Sequence, residues 1–210
     1  MNRIFVIGDI HGCYEKLKTL LEKIHVKNND MLVFLGDYID RGADSKKVVD
    51  EVINLKSRHH TVTLLGNHEK MLLDVLQKGL PIEMWLFNGG EATLLSYGIR
   101  GHDISFHLFP PEHMEFFRSL LPYYETDNYI FVHAGLRPNI PLRKQSVDDL
   151  VWIRDEFIYS DCNFGKVVVF GHTPLAEPVF MRNKIGIDTG AVYGGKLTCL
   201  ILPERQVLQV

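Results

Sequence analysis

The chain predicts an α/β fold: a parallel half, then a more antiparallel half, within one domain. Two patterns predict it. In the first third, short β-branched apolar runs alternate with amphipathic helical stretches, the order that builds parallel strands through crossover helices. In the last third, strand-like runs follow closely with turn residues between them, as in antiparallel pairs. A third feature says where function lies: several runs end at a glycine or alanine next to metal-capable side chains.

The elements follow in order. Arg3–Ile7 is an apolar run that ends at Gly8, a buried strand. Leu17, Leu20, Leu21 and Ile24 recur at helical spacing, which predicts an amphipathic helix over Tyr14–Ile24. Met31–Leu35 is a strand stopped by Gly36. Val48, Val49, Val52 and Ile53 mark a helix after Ser45, a good N-cap. Thr61–Leu65 is a third strand, stopped by Gly66. From about Glu69 to Leu121 the pattern is helical but broken by Pro81, Gly89, Gly90, Gly98, Gly101, Pro110 and Pro111. This segment is expected to be a helical insertion or cap over one edge of the sheet. Strands return at Tyr129–Val132, Val167–Phe170, Val179–Met181, Lys184–Ile187 and Leu197–Leu202. No linker, repeat or low-complexity tract divides the chain, so residues 1–210 read as one domain.

Composition excludes several classes. With 46% hydrophobic and 23% charged residues the chain is not wholly disordered. The formal charge of −3 gives no basic excess for a nucleic-acid partner. No apolar run approaches the roughly 20 residues of a membrane helix, and Asp9 interrupts the short apolar start. Cys13, Cys162 and Cys199 are too few and scattered for a disulfide framework or a thiolate zinc site. A cytoplasmic protein is expected.

Five clusters carry chemistry: Gly8-Asp9-Ile10-His11-Gly12, Gly36-Asp37-Tyr38-Ile39-Asp40-Arg41-Gly42, Gly66-Asn67-His68-Glu69, His133-Ala134-Gly135 and Gly171-His172-Thr173-Pro174. In open α/β sheets, ligands bind beyond the carboxyl ends of the strands, so residues far apart in sequence converge there. Two carboxylates, an amide oxygen and three imidazoles suit manganese, iron, zinc or nickel and are too nitrogen-rich for a magnesium or calcium cage. Six ligands fit two ions sharing a bridging carboxylate.

These motifs, unbroken and in order, resemble the signature of the PPP-type metallophosphoesterases. That is the calcineurin-like group that includes bacterial and phage serine/threonine protein phosphatases. The resemblance extends from Gly8 to Pro174 and implies two mixed sheets packed face to face, helices outside and the metal site at one edge. It implies Asp9 and His11 on the first metal, Asp37 bridging, and Asn67, His133 and His172 on the second. His68 matches the general acid, Asp40 its orienting carboxylate and Arg41 a phosphate clamp. Val151-Trp152-Ile153-Arg154 resembles the segment that supplies a second clamp, Arg154. Two manganese ions are the expected cofactors. Glu69 is read as support for its turn or for the following helix. Asn67 is also placed at the substrate. Tyr193, in a glycine-rich stretch that also resembles bacterial members, is placed there too, although a hairpin turn explains it equally.

The implied activity is metal-dependent phosphomonoester hydrolysis by direct attack of a metal-bridging hydroxide on phosphorus. A protein serine/threonine phosphatase, with dual specificity open, is expected first. Its partner is a phosphorylated protein or a small phosphoester. The alternative is a diadenosine tetraphosphatase of the symmetrical kind, with Phe87, Phe106, Phe109, Tyr123 and Tyr124 as possible stacking surfaces. The third reading is a catalytically silent phosphate-binding module, which has no chemical need for Asp40, Arg41 and His68 together.

Overall fold

A computed structural model describes residues 3–210. Two five-stranded sheets pack face to face. The first has the order β10-β9-β1-β2-β3, from β1 (Ile4–Ile7), β2 (Met31–Phe34), β3 (His60–Thr63), β9 (Thr198–Leu202) and β10 (Gln206–Gln209). The second has the order β4-β5-β6-β8-β7, from β4 (Tyr123–Glu125), β5 (Tyr129–Val132), β6 (Val167–Phe170), β7 (Val179–Phe180) and β8 (Lys184–Gly186).

The apolar strands are buried on both faces, which is why they lack a polar alternation. Val6, Val33, Phe131, Val169, Ile185 and Leu200 meet between the sheets. Their neighbours Phe5, Ile7, Leu32 and Phe34 face the opposite way, into a helical layer. That layer holds α1 (Tyr14–Lys23), α2 (Ser45–Arg58) and α3 (Asn67–Lys78). On the far side, Ile130, Val132, Val168 and Phe170 pack against α7 (Val147–Trp152) and α8 (Asp155–Ile158). The expected sandwich with flanking helices is the observed fold.

The middle segment forms α4 (Glu83–Trp85), a π-helical turn over Leu86–Gly90, α5 (Glu91–Ser96) and α6 (Pro111–Arg118). It joins the helical layer on the first sheet: Trp85, Leu94, Met114, Phe116 and Phe117 share one core with Leu17, Leu20 and Val49.

The antiparallel reading of the last third holds for β4 with β5, β7 with β8 and β9 with β10, but not for β6, which pairs parallel to both β5 and β8. The β5-to-β6 connection contains α7 and α8, which serve as the crossover that parallel pairing needs. Strand β9 crosses to the first sheet, antiparallel to β1 and β10. The consequence is functional. Strands β1, β2 and β3 are mutually parallel, as are β5, β6 and β8, so each sheet offers three carboxyl ends to one edge of the sandwich.

Candidate active site

Every cluster found in the sequence follows one of those carboxyl ends. Asp9 and His11 follow β1, Asp37 follows β2, Asn67 and His68 open α3 after β3, His133 follows β5 and His172 follows β6. The backbone there is unusual. His11, Asp37, Asp40, Arg41 and His172 all take positive φ, at 46°, 52°, 71°, 69° and 62°. Left-handed backbone costs an L-residue roughly 1–2 kcal/mol, and it persists only where the surroundings over-determine it.

Here they do. The amides of Ile10 and His11 both donate to the Asp37 carbonyl, at 3.0 and 2.8 Å. The buried Glu69 carboxylate accepts from Gly66, Asp37, Tyr38 and Ile39 amides at 3.1, 3.0, 2.8 and 3.2 Å. It thus supports its turn and also ties the Asp37 loop to α3. Burial and the carboxylates of Asp37 and Asp40 push its pKa well up, and the amides oppose this. Gly66 must lack a side chain, since a Cβ there would lie 2.1 Å from Asp37 Oδ1. Glu69→Gln is expected to destabilise the fold by about 3 kcal/mol, because an amide nitrogen would face backbone donors. Scanning calorimetry should show a Tm lower by roughly 6–10 °C.

The donor set is made of acceptors. His133 Nδ1 donates to the Leu35 carbonyl at 3.0 Å, so Nε2 carries a lone pair. That nitrogen lies 2.9 Å from Asn67 Oδ1, 3.2 Å from His172 Nδ1 and 3.5 Å from Asp37 Oδ2. His11 Nδ1 donates to the Ile39 carbonyl at 2.9 Å, which leaves its Nε2 lone pair 3.3 Å from Asp37 Oδ2. Asp9 Oδ2 accepts from the His172 amide at 3.0 Å, while its Oδ1 is buried without a partner. Carboxylate, amide-oxygen and imidazole atoms this close together, with Asp9 Oδ1 left bare, form a donor set that fits cations. Among the described residues, two groups have ligand atoms within 4.8 Å: His11, Asp37 and His68, and Asp37, His133 and His172. Asp37 belongs to both.

Electrostatics agree. Burial holds the imidazoles neutral: His11 is pushed down to about 3, His172 to about 2, and His133 also falls. Neutral imidazole is the form that binds metal. Burial would raise Asp37, but His133, His68, His11 and His172 outweigh it and pull it down. Burial, with the carboxylates of Asp188 and Asp37, drives Asp9 well up, a repulsion that bound cations relieve.

His68 Nδ1 donates to Asp40 Oδ2 at 2.7 Å, and its buried Nε2 has no partner. Asp40 also accepts from Trp85 Nε1 at 2.8 Å and Thr93 Oγ1 at 2.6 Å. Burial raises Asp40, and these three bonds oppose the rise. Arg41 Nη1 donates to His11 Nε2 at 2.6 Å, and its amide bonds the Gly89 carbonyl at 3.1 Å. One lone pair cannot serve a guanidinium and a metal together, so a metal at His11 would displace the Arg41 guanidinium. The guanidinium lies 5.4 Å from the exposed Tyr193 ring. Arg154 Nη1 donates to the His172 carbonyl at 3.0 Å.

The structure therefore brings together Asp9, His11, Asp37, Asp40, Arg41, Asn67, His68, His133, Arg154, His172 and Tyr193. Three residues escaped sequence reasoning. Trp85 and Thr93 hold Asp40 from the middle segment, and nothing in their sequence context marks them. Asp188, buried just past β8, has a carboxyl raised to about 6 by burial and the Asp37 charge, against the Gly190 amide and Arg154 and Arg41. Its signal was present: a strand end, an aspartate, then a glycine.

Comparison with known proteins agrees with this geometry. A family model described as calcineurin-like phosphoesterase matches residues 2–199, and the chain belongs to that family. The asymmetrical bis(5'-nucleosyl)-tetraphosphatase PrpE of Anoxybacillus flavithermus is 29% identical, over 98% of this chain and 92% of that protein. The crystal structure of a candidate diadenosine tetraphosphatase superposes with a TM-score of 0.78 at 25% identity, covering 100% of this chain and 93% of the other. A serine/threonine phosphatase from Saccharomyces cerevisiae superposes at 0.68 with 19% identity, over 96% and 72%, a likeness of fold.

The expectation of a protein serine/threonine phosphatase is corrected by these findings. The curated relatives that match this chain at about 29% identity over nearly its whole length are named for dinucleoside tetraphosphates, and these findings give the phosphoprotein partner no support. The alternative is favoured in its substrate, but the relatives are named asymmetrical where the symmetrical kind was expected. The motifs could not separate these cases, because they describe the shared phosphoester centre and not the walls around it. Among the described residues, no helix is long and apolar enough to cross a membrane.

Proposed function

We propose that the chain hydrolyses dinucleoside tetraphosphates asymmetrically, cutting between the first and second phosphates to release a nucleoside mono- and a nucleoside triphosphate. Its near-full-length similarity to proteins named for that activity carries the reading. Asp9, His11, Asp37, Asn67, His133 and His172 would hold two divalent ions, manganese first. Bound there, the ions would lower the pKa of a water nucleophile and polarise phosphoryl oxygens.

The chain's own groups do the rest. Arg41 and Arg154, planar guanidiniums at opposite ends of the donor set, match phosphate oxygens two at a time. Their placement beside His11 and the His172 carbonyl supports this role. His68 Nε2 delivers a proton to the leaving oxygen while Asp40 fixes the other ring nitrogen. Trp85 and Thr93 keep Asp40 facing His68. A leaving polyphosphate is a weaker base than an alkoxide, so anhydride cleavage asks less of this acid than a phosphoserine would.

With manganese present, diadenosine tetraphosphate is expected to be turned over with a kcat/KM at least ten-fold above that for a phosphoserine peptide. Chromatography of the products should give AMP and ATP. Two ADP would make the cleavage symmetrical, and a preference for the peptide would defeat the proposal.

A further inference from the structure

Beside the metal donor set lies a cleft of about 400 Å³, lined by Trp152, Arg154, Asp155, Arg137, Asp148 and Glu156 among others. We propose that this cleft is the subsite for one nucleoside of the substrate, with the Trp152 indole as the platform for its base. The inference rests on the dinucleoside reading and deepens it.

Position is the first argument. The Trp152 ring packs edge-on to the His172 imidazole, centroids 5.8 Å apart at 88°. Arg154, on the same wall, bonds the His172 carbonyl at 3.0 Å and Thr173 Oγ1 at 3.3 Å. The cleft and the metal-ligand loop are therefore one unit. Asymmetrical cleavage leaves one nucleoside within a single phosphate of the breaking bond, so its base must lie beside the donor set.

Exposure is the second. Val151 and Ile153, on either side of Trp152, are buried, yet Trp152 is 39% exposed. Its uncovered surface is worth covering, since a base stacked on it removes apolar area from water. Fixity is the third. Ser146 Oγ caps α7 by accepting from the Asp149 amide at 3.0 Å, and the Leu150 carbonyl accepts from Ala134 at 2.9 Å. Leu150, Val151, Ile153 and Phe157 lie in one core, so the platform is held before any ligand arrives.

Chemistry is the fourth. Asp148, Asp155 and Glu156 carry carboxylate oxygens that can accept from ribose hydroxyls and an exocyclic amine, although Lys70 pairs with Asp148 at 3.1 Å and Arg137 with Glu156 at 2.8 Å. Arg137 is already paired with Asp149 and Glu156, at 2.5 and 2.8 Å. Both protein contacts of the Arg154 guanidinium run through Nη1, which leaves its other nitrogens for phosphate. The cleft is thus polarised, with phosphate toward Arg154 and His172 and the nucleoside toward the carboxylates. Of the aromatic candidates named from sequence, Phe109 is buried, Phe106 lies under the Arg118 guanidinium and Tyr123 and Tyr124 sit in β4; Phe87 is 90% exposed but belongs to the turn whose Gly89 carbonyl bonds Arg41, and it does not line the Arg154 cleft.

The test uses the full manganese-loaded chain and two readouts. Trp152→Ala is expected to lose roughly ten-fold more kcat/KM on diadenosine tetraphosphate than on p-nitrophenyl phosphate, mainly through KM, as loss of a base–aromatic stack predicts. Trp152→Phe should recover most of that selectivity. Independently of turnover, AMP should quench wild-type tryptophan emission, and the quench should vanish in Trp152→Phe, because the other tryptophan, Trp85, is fully buried. Equal losses on both substrates, or an unchanged KM for the dinucleotide, would overturn the subsite and leave the dinucleoside activity standing. Wild-type protein that is quenched by AMP but does not cleave the dinucleotide would overturn the activity and support the subsite. Absence of quenching would overturn the subsite.

Discussion

Exhaustive chelation is expected to drop hydrolysis of both diadenosine tetraphosphate and p-nitrophenyl phosphate below about a thousandth of the loaded rate, and added Mn²⁺ to restore it. Uncatalysed phosphoester hydrolysis is among the slowest reactions known, and the protein supplies no nucleophile to replace an activated water. The same experiment has a structural readout. His133 Nε2, Asn67 Oδ1 and Asp37 Oδ2 converge as acceptors, so the stripped protein carries their mutual repulsion. At a hundred-fold excess over the dissociation constant, metal stabilises by about 2.7 kcal/mol, which for this chain length raises Tm by roughly 5–10 °C. Asp37→Asn should lose both the activity and the Tm response, since Asp37 alone belongs to both ligand groups. Full turnover in protein shown by elemental analysis to hold no metal would refute the two-metal reading.

The fold was legible where one element's local pattern decided its state. The runs at Ile4–Ile7, Met31–Phe34 and Val167–Phe170 are apolar on both faces and became central strands. Pairing was not legible in the same way. Whether β6 runs with or against β8 depends on where the chain returns, and the intervening β7 hairpin gave the segment its antiparallel look. Strand β10, polar at both ends of Gln206–Gln209, gave no strand signal, because it is an edge strand recruited by β9.

The site divides along the same line. Its candidate ligands were readable because each motif is contiguous and ends a strand. The groups that hold them are tertiary. Trp85 and Thr93 reach Asp40 across 45 and 53 residues of sequence, from the segment read as a helical insertion or cap. Gly89 and Gly90 have a different reason: a Cβ at Gly89 would meet Arg41 at 2.7 Å, and one at Gly90 would meet the Trp85 ring at 2.6 Å. Those glycines let the middle segment pack against the Asp40–Arg41 loop. Substrate choice was least legible of all, since it depends on the walls of the site.

His68→Asn provides the sharper test, because the geometry admits two jobs for this side chain. Its Nε2 lies 4.0 Å from Asp37 Oδ2, against 3.3 Å for His11 and 3.5 Å for His133, and it falls in the same ligand group as His11. Its bond to Asp40 decides nothing, since a carboxylate orients a metal-binding histidine as readily as a proton donor. Leaving-group dependence separates the two. As a general acid, His68 matters most where the departing oxygen is most basic, and its loss costs about 10²- to 10⁴-fold there. His68→Asn should therefore fall by that much on phenyl phosphate, but by no more than about ten-fold on p-nitrophenyl phosphate or the dinucleotide. Thr93→Val should steepen the dependence less, by loosening Asp40 alone. Metal content should stay at two ions per chain. A variant that instead loses an ion, and slows equally on every leaving group, would make His68 a ligand and leave the chain without a protein-borne acid.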